Sequence, residues 1–163
     1  MQKQAPVDYI QRTKEQYDGL GYPSYHWVYN PDPPPMTVLK KPLSECKLAL
    51  IASGGVYACG QIAFHFKDDL SYRQVDIETP TTSLRATHFA YDLTDARADP
   101  NVVFPLDTLK RCVSEGIIGE LSNPAYTFMG GIYSSRKVRD ILAPALADAL
   151  QRDEVDVALM VPV

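Results

Sequence analysis

Two apolar runs stand out along the chain. KLALIAS at 47–53 and VDVALMVPV at 155–163 are apolar on successive residues, not alternate ones. That pattern suits a strand covered on both faces, so each is predicted to be an interior strand of a sheet. LSYRQVDI at 70–77 alternates and predicts a further strand. In PLDTLKRCVSEG, Leu106, Leu109 and Val113 share one helical face, with Pro105 suited to the first turn and Gly116 to the stop. SSRKVRDILAPALADALQRDEV carries the longest helical pattern. Ile141, Leu142, Leu146 and Leu150 form its apolar side, and Pro144 is placed to kink or split it.

The beginning of the chain differs in character. Val7, Ile10, Tyr17 and Leu20 lie among charges and predict a short amphipathic helix over 6–20, with Gly19 or Gly21 as its stop. YPSYHWVYNPDPPP follows. Its prolines remove backbone donors and disfavour helix, which predicts an extended arm. Tyr22, Tyr25, Trp27 and Tyr29 on that arm are expected to pack on the parent domain or on a partner subunit. The order strand, loops, helix, strand favours an α/β fold. The expected architecture is a mostly parallel central sheet flanked by helices, with a Pro/aromatic-rich N-terminal arm. A single domain is expected over 1–163, with helix and arm in 1–42 and the sheet core in 43–163.

Composition narrows the classes. The 163 residues are 45% hydrophobic and 22% charged, ordinary values for a globular domain. The net charge is −4 and no basic stripe is visible, which argues against a nucleic-acid partner. No apolar run approaches the roughly 20 residues of a membrane helix. The N-terminus lacks an apolar signal core, so a soluble, cytoplasmic protein is expected. Cys46, Cys59 and Cys112 are widely spaced and odd in number, which argues against a disulfide framework. Each is expected to pack as a small hydrophobe, Cys59 being the most plausible redox residue of the three. No His/Cys/Asp cluster has metal-ligand spacing, so no metal is predicted.

Chemistry is expected where the buried strands end. In open α/β sheets the ligand crevice lies just outside the carboxyl ends of the strands. SGGVY follows the first apolar run, and its pair Gly54–Gly55 lets the backbone turn sharply and approach a ligand. The pair is neither GxGxxG nor a Walker A loop and gives little support to nucleotide binding. His88 and Asp92 are four apart on a loop with Tyr91 between them. The imidazole titrates near neutrality and can donate a proton to a leaving amine, with Asp92 orienting it or holding a substrate ammonium. The plainer reading is a loop closed by an Asp cap and a histidine bonded to backbone. His26 and His65 have no partner spacing and are expected at the surface or in packing.

Several long stretches, in fixed order, carry a resemblance. GYPSYHWV, PLSECKLALIASGGVY, the run from Thr87 to Ile132, and VDVALMVPV resemble the selenoprotein B family of glycine/sarcosine/betaine/D-proline reductases. The most specific parts are His88, Tyr91 and Asp92 in H-x-x-YD, the NVVFPLD run from Asn101 to Asp107, and the YTFMG run from Tyr126 to Gly130. The resemblance implies an oxidoreductase subunit, or an N-terminal fragment of one, that reductively cleaves a C–N bond of a small amine or amino acid. It implies His88 and Asp92 as catalytic residues, and Gly54, Gly55, Tyr91, Asn101, Tyr126 and Met129 as substrate-binding ones. It also implies other reductase subunits or self-association as partners. In the family a strand like VALMVPV runs into a selenocysteine or cysteine nucleophile, which is absent here. No cofactor is expected in this chain, and selenocysteine is expected in a full-length form. Either the chain is the N-terminal part of a selenoprotein whose stop-type codon follows Val163, or it is a short homologue. The alternative function is a non-catalytic binding or assembly domain that kept the fold.

Overall fold

Strand β1 (Lys47–Ala52) is the element around which the sheet is built, and its side chains explain why. Leu48, Leu50 and Ala52 enter one buried cluster, with Phe104, Leu106, Leu109 and Ala125. Ile51 enters a second, with Tyr126, Leu142, Leu146 and Ala149. Successive side chains of a strand point to opposite faces, so a strand with apolar residues at every position fills two cores at once.

The computed structural model describes residues 8–24 and 28–163. Val7, Tyr25, His26 and Trp27, singled out in the sequence, lie outside the described residues. The chain divides after Met36 into two units. The first holds α1 (Tyr9–Gly19), capped by Asp8, whose carboxylate accepts from Gln11 N at 3.0 Å. Gly21, at φ 72°, provides the stop. The amphipathic pattern of this helix does not translate into burial, since Ile10 and Leu20 are both exposed. Tyr22 and Tyr29 are exposed as well.

The second unit carries the sheet. After β1 come β2 (Val56–Ala58), β3 (Tyr72–Val75) and β4 (Leu84–Ala86). Helices α2 (Thr94–Ala98) and α3 (Leu106–Ser114) follow, then β5 (Glu120–Leu121) and β6 (Ala125–Phe128). A helical stretch made of α4 (Ser135–Lys137), a π-type turn (Val138–Leu142) and α5 (Ala143–Arg152) leads to β7 (Val157–Val161). β5 and β6 lie one after the other along one side of β1, with Leu48 opposite Leu121 and Ile51 opposite Tyr126. β7 takes the other side, from Leu48–Val157 to Ala52–Val161. All three pairings are parallel, and β3 adds to β6 antiparallel. The class is therefore α/β with a mostly parallel sheet. β2 and β4 form a separate antiparallel ribbon.

Two local expectations are corrected. β1 is interior, but β7 is an edge: among the described residues it pairs with β1 alone. Leu159 and Met160 are 37% and 61% exposed. A doubly apolar run reports what its side chains favour, not whether a neighbouring strand is present. Ile141 also departs from the expected apolar face and is exposed, while Leu142 and Leu146 are buried. The π-type turn is the reason. Pro144 has no N–H to give the carbonyl four residues back, the turn before it widens, and Ile141 rotates off the stripe.

Candidate functional site

The backbone at the carboxyl end of β1 is Ser53–Gly54–Gly55, and three segments converge on it. From β7, Val163 N donates to Ser53 Oγ at 2.9 Å, and Ser53 N donates to Val161 O at 3.0 Å. From β6, Gly130 N donates to Ser53 O at 2.8 Å, and Gly55 N donates to Phe128 O at 2.9 Å. From the loop after β4, Thr87 N donates to Gly55 O at 3.0 Å, and Tyr91 Oη donates to Gly54 O at 2.8 Å. The turn therefore sits at the carboxyl ends of three parallel strands, under the loop that carries His88.

Glycine is required here for steric reasons. Gly55 has φ 67°, and a Cβ on it would fall 1.9 Å from Thr87 O. Gly131, on the opposite rim, would place a Cβ 2.1 Å from the Phe89 ring. Side chains are excluded so that the 87–91 loop can close on the strand ends.

His88 is the chemically distinctive residue of that loop. It is 7% exposed, and its Nδ1 accepts from Ala90 N at 3.0 Å. Because Nδ1 is the acceptor, the proton of the neutral ring resides on Nε2. Nε2 is buried and has no partner among the described residues. The ring lies between Tyr91 and Phe89, at centroid distances of 4.8 and 5.8 Å. Burial lowers its pKa below the ordinary 6.5, so the neutral, Nε2-protonated ring is the resting form. Burial also pushes the Tyr91 hydroxyl up. A buried donor without an acceptor is costly, roughly 1–3 kcal/mol, so Nε2 is open to a water molecule or to an acceptor on a ligand. Thr127 Oγ1 is likewise buried and unpartnered, and Thr127 lies beside Ala52 at the top of the sheet.

The other residues singled out in the sequence divide clearly. Gly54, Gly55, Tyr91 and Met129 join His88: Met129 is fully buried and bridges to Gly54 across the antiparallel contact. Asp92 is exposed and closes a turn just ahead of α2, accepting from Thr94 N at 2.9 Å and Thr94 Oγ1 at 2.7 Å. Those bonds hold its carboxyl below the usual range, and none runs to the imidazole. Asn101 ties the start of α3: its Nδ2 donates to Asp107 Oδ2 at 2.9 Å, and its Oδ1 accepts from Asp107 N at 3.0 Å. Tyr126 points to the other face of the sheet, where its hydroxyl donates to the Asp153 carboxylate. Burial first, and that carboxylate second, hold its pKa well above the usual phenol value. Ser53 was not singled out, although it stands in the SGGVY motif between the strand and the glycine pair. Phe89 and Tyr133, stacked at 6.0 Å, also flank the loop.

Cys46 is buried with its Sγ donating to Pro42 O at 3.3 Å, Cys112 is half-buried, and Cys59 is exposed. His65 is exposed, with its ring on Phe66 at 4.8 Å. Among the described residues no group of three or more His, Cys, Asp or Glu is placed to hold a metal ion. Among them, too, no helix is long and apolar enough to cross a membrane.

Comparison with known proteins gives three findings. The family model described as glycine/sarcosine/betaine reductase selenoprotein B matches residues 30–162. The D-proline reductase subunit gamma of Acetoanaerobium sticklandii is 30% identical over 135 residues, 82% of this chain and 56% of that protein. The glycine reductase complex component B subunit gamma of Symbiobacterium thermophilum is 31% identical over 144 residues, 85% of this chain and 32% of that protein. The chain thus spans about half the length of one relative and a third of the other. No solved structure matches it significantly.

Proposed function

The chain belongs to the glycine/sarcosine/betaine reductase selenoprotein B family, and from that premise we propose that it is part of a reductase-complex subunit that reductively cleaves a C–N bond of a small amine or amino acid. Its partners in this reading are the other subunits of the complex. The observation that carries the reading is the unpartnered Nε2–H of His88, buried over a glycine turn at the carboxyl ends of three strands.

The reading places a selenocysteine or cysteine at the carboxyl end of β7. One contact bears on the fit: the backbone there is held by Ser53 through the Val163 N–H. A selenol or thiol in that position would supply the nucleophile, and the two reducing electrons would come from a dithiol donor that resolves the mixed bond and ends as a disulfide. This chain's own residues do the rest. His88, neutral and fixed in one tautomer, gives a hydrogen bond through Nε2 to a substrate acceptor, as a preorganised donor and not as an acid. Tyr91 and Met129 hold the turn and exclude water from it. Asp92 and Asn101 act on the helix starts beside the site, and Tyr126 acts on the helix behind the sheet.

The test is an assay of the full-length subunit assembled with its complex partners, supplied with a dithiol and, separately, D-proline, glycine, sarcosine and betaine. Cleavage of the C–N bond of one of them is expected, read as a released amine or, for cyclic D-proline, as the ring-opened amino acid. His88→Ala should lower kcat roughly 100-fold or more, the usual loss when a preorganised donor is removed. No turnover of any of these by an intact complex would instead make the chain a non-catalytic assembly domain.

A further inference from the structure

A cavity of about 430 Å³ lies between α2 and the β2–β4 ribbon, lined by Tyr57, Arg85, Thr87 and Arg97 among others. It is distinct from the glycine turn, though Thr87 belongs to both walls. Its size falls within the range of small-molecule pockets, about 300–1,000 Å³. Two features set it apart from an ordinary surface cleft. Arg85 stands opposite Tyr57 in the ribbon register, and its Nη1 donates to Thr82 O at 3.0 Å and to Leu84 O at 2.6 Å. The guanidinium is thus anchored by backbone through one nitrogen, while Nε and Nη2 have no protein acceptor among the described residues. Arg97, on α2, forms no ion pair within 4.0 Å among the described residues. In a chain of net charge −4, with twenty carboxylate residues, two guanidinium groups without a close ion pair among the described residues line one cavity, the charge of Arg97 reaching Asp92 from a longer distance.

We propose that this cavity is an oxyanion site, taking the carboxylate or phosphate group of a small molecule between Arg85 and Arg97. A guanidinium presents parallel N–H donors that match the two oxygens of either group. The anchored Arg85 loses little side-chain freedom on binding, which favours affinity. Tyr57 and Thr87 belong to the same wall. The site is independent of the chemistry at Gly54–Gly55 and stands whether or not the chain is a reductase subunit.

The test is a titration of the ¹⁵N-labelled full chain with inorganic phosphate and with acetate, ionic strength being held constant with sodium chloride. Saturable shifts are expected at the amides of Arg85, Thr87 and Arg97. Arg97→Ala, at an exposed position with no side-chain hydrogen bond or close ion pair to lose among the described residues, should weaken binding about tenfold, and Arg97→Lys less. Arg85→Ala should act in the same direction, with circular dichroism checking that the 82–85 turn survives. Saturation by phosphate alone would identify a phosphoryl ligand, and saturation by acetate alone a carboxylate. No saturable shift with either anion would overturn the proposal, as would shifts unchanged in Arg97→Ala.

Discussion

At His88 the tautomer and the burial act together. The Ala90 N–H takes Nδ1, the proton is left on Nε2, and burial disfavours the imidazolium. The folded pKa lies below the ordinary 6.5, so the unfolded chain binds this proton more readily. Stability from this residue is therefore fully present above pH 6.5 and is lost as pH falls through the lower folded value. Asp69, Asp92 and Asp156, all lowered from 3.8, act in a more acidic window. Urea titrations between pH 7 and pH 5 should show this loss, and His88→Gln should flatten it; an equal slope in the variant would place the titrating group elsewhere. The sequence made His88 visible by its place in H-x-x-YD. It also offered the plainer reading, Asp92 as a loop-closing cap, but four residues of loop spacing left open which backbone turn the carboxylate closes. It did not reveal Ser53, whose role depends on a strand more than a hundred residues away.

Among the elements, β6 links the two faces of the sheet. Its Thr127 looks toward the site and its Tyr126 toward α5, where the hydroxyl meets Asp153 at the helix end. The alternation separates two residues that the YTFMG run places side by side: one belongs near the chemistry, the other to the packing of the covering helix. Tyr126→Phe keeps the ring against Tyr72 and Leu146 and removes only the bond to the carboxylate. It is expected to cost roughly 1.5–3 kcal/mol in chemical denaturation and to leave turnover by the assembled subunit unchanged. A selective loss of activity with stability intact would return Tyr126 to the substrate site. β1, α3 and α5 were legible because their apolar spacing is set by burial, and burial is what periodicity reports. The edge position of β7 was not legible, since apolar side chains reveal nothing of backbone pairing, and the π-type turn was foreshadowed only by Pro144.

For the whole molecule, the account rests on where the strands point. β1, β6 and β7 run parallel, so their carboxyl ends gather at one side of the sheet, and the loop after β4 closes over them through Thr87 and Tyr91. On the other face an apolar groove of about 230 Å³ opens between α5 and β7, bordered by Leu146, Leu150 and Met160. The class of fold and the position of the glycine turn were both legible in the sequence, because they follow from buried strands and from backbone that tolerates no Cβ. The meeting of His88 with that turn was only a hypothesis until the loop had a path. The most direct test of the central claim is the intact mass and selenium content of the native subunit purified from its source, with the residue after Val163 identified by peptide sequencing. The account predicts selenocysteine or cysteine at the carboxyl end of β7. A native subunit with neither residue in the segment that follows β7 would contradict it.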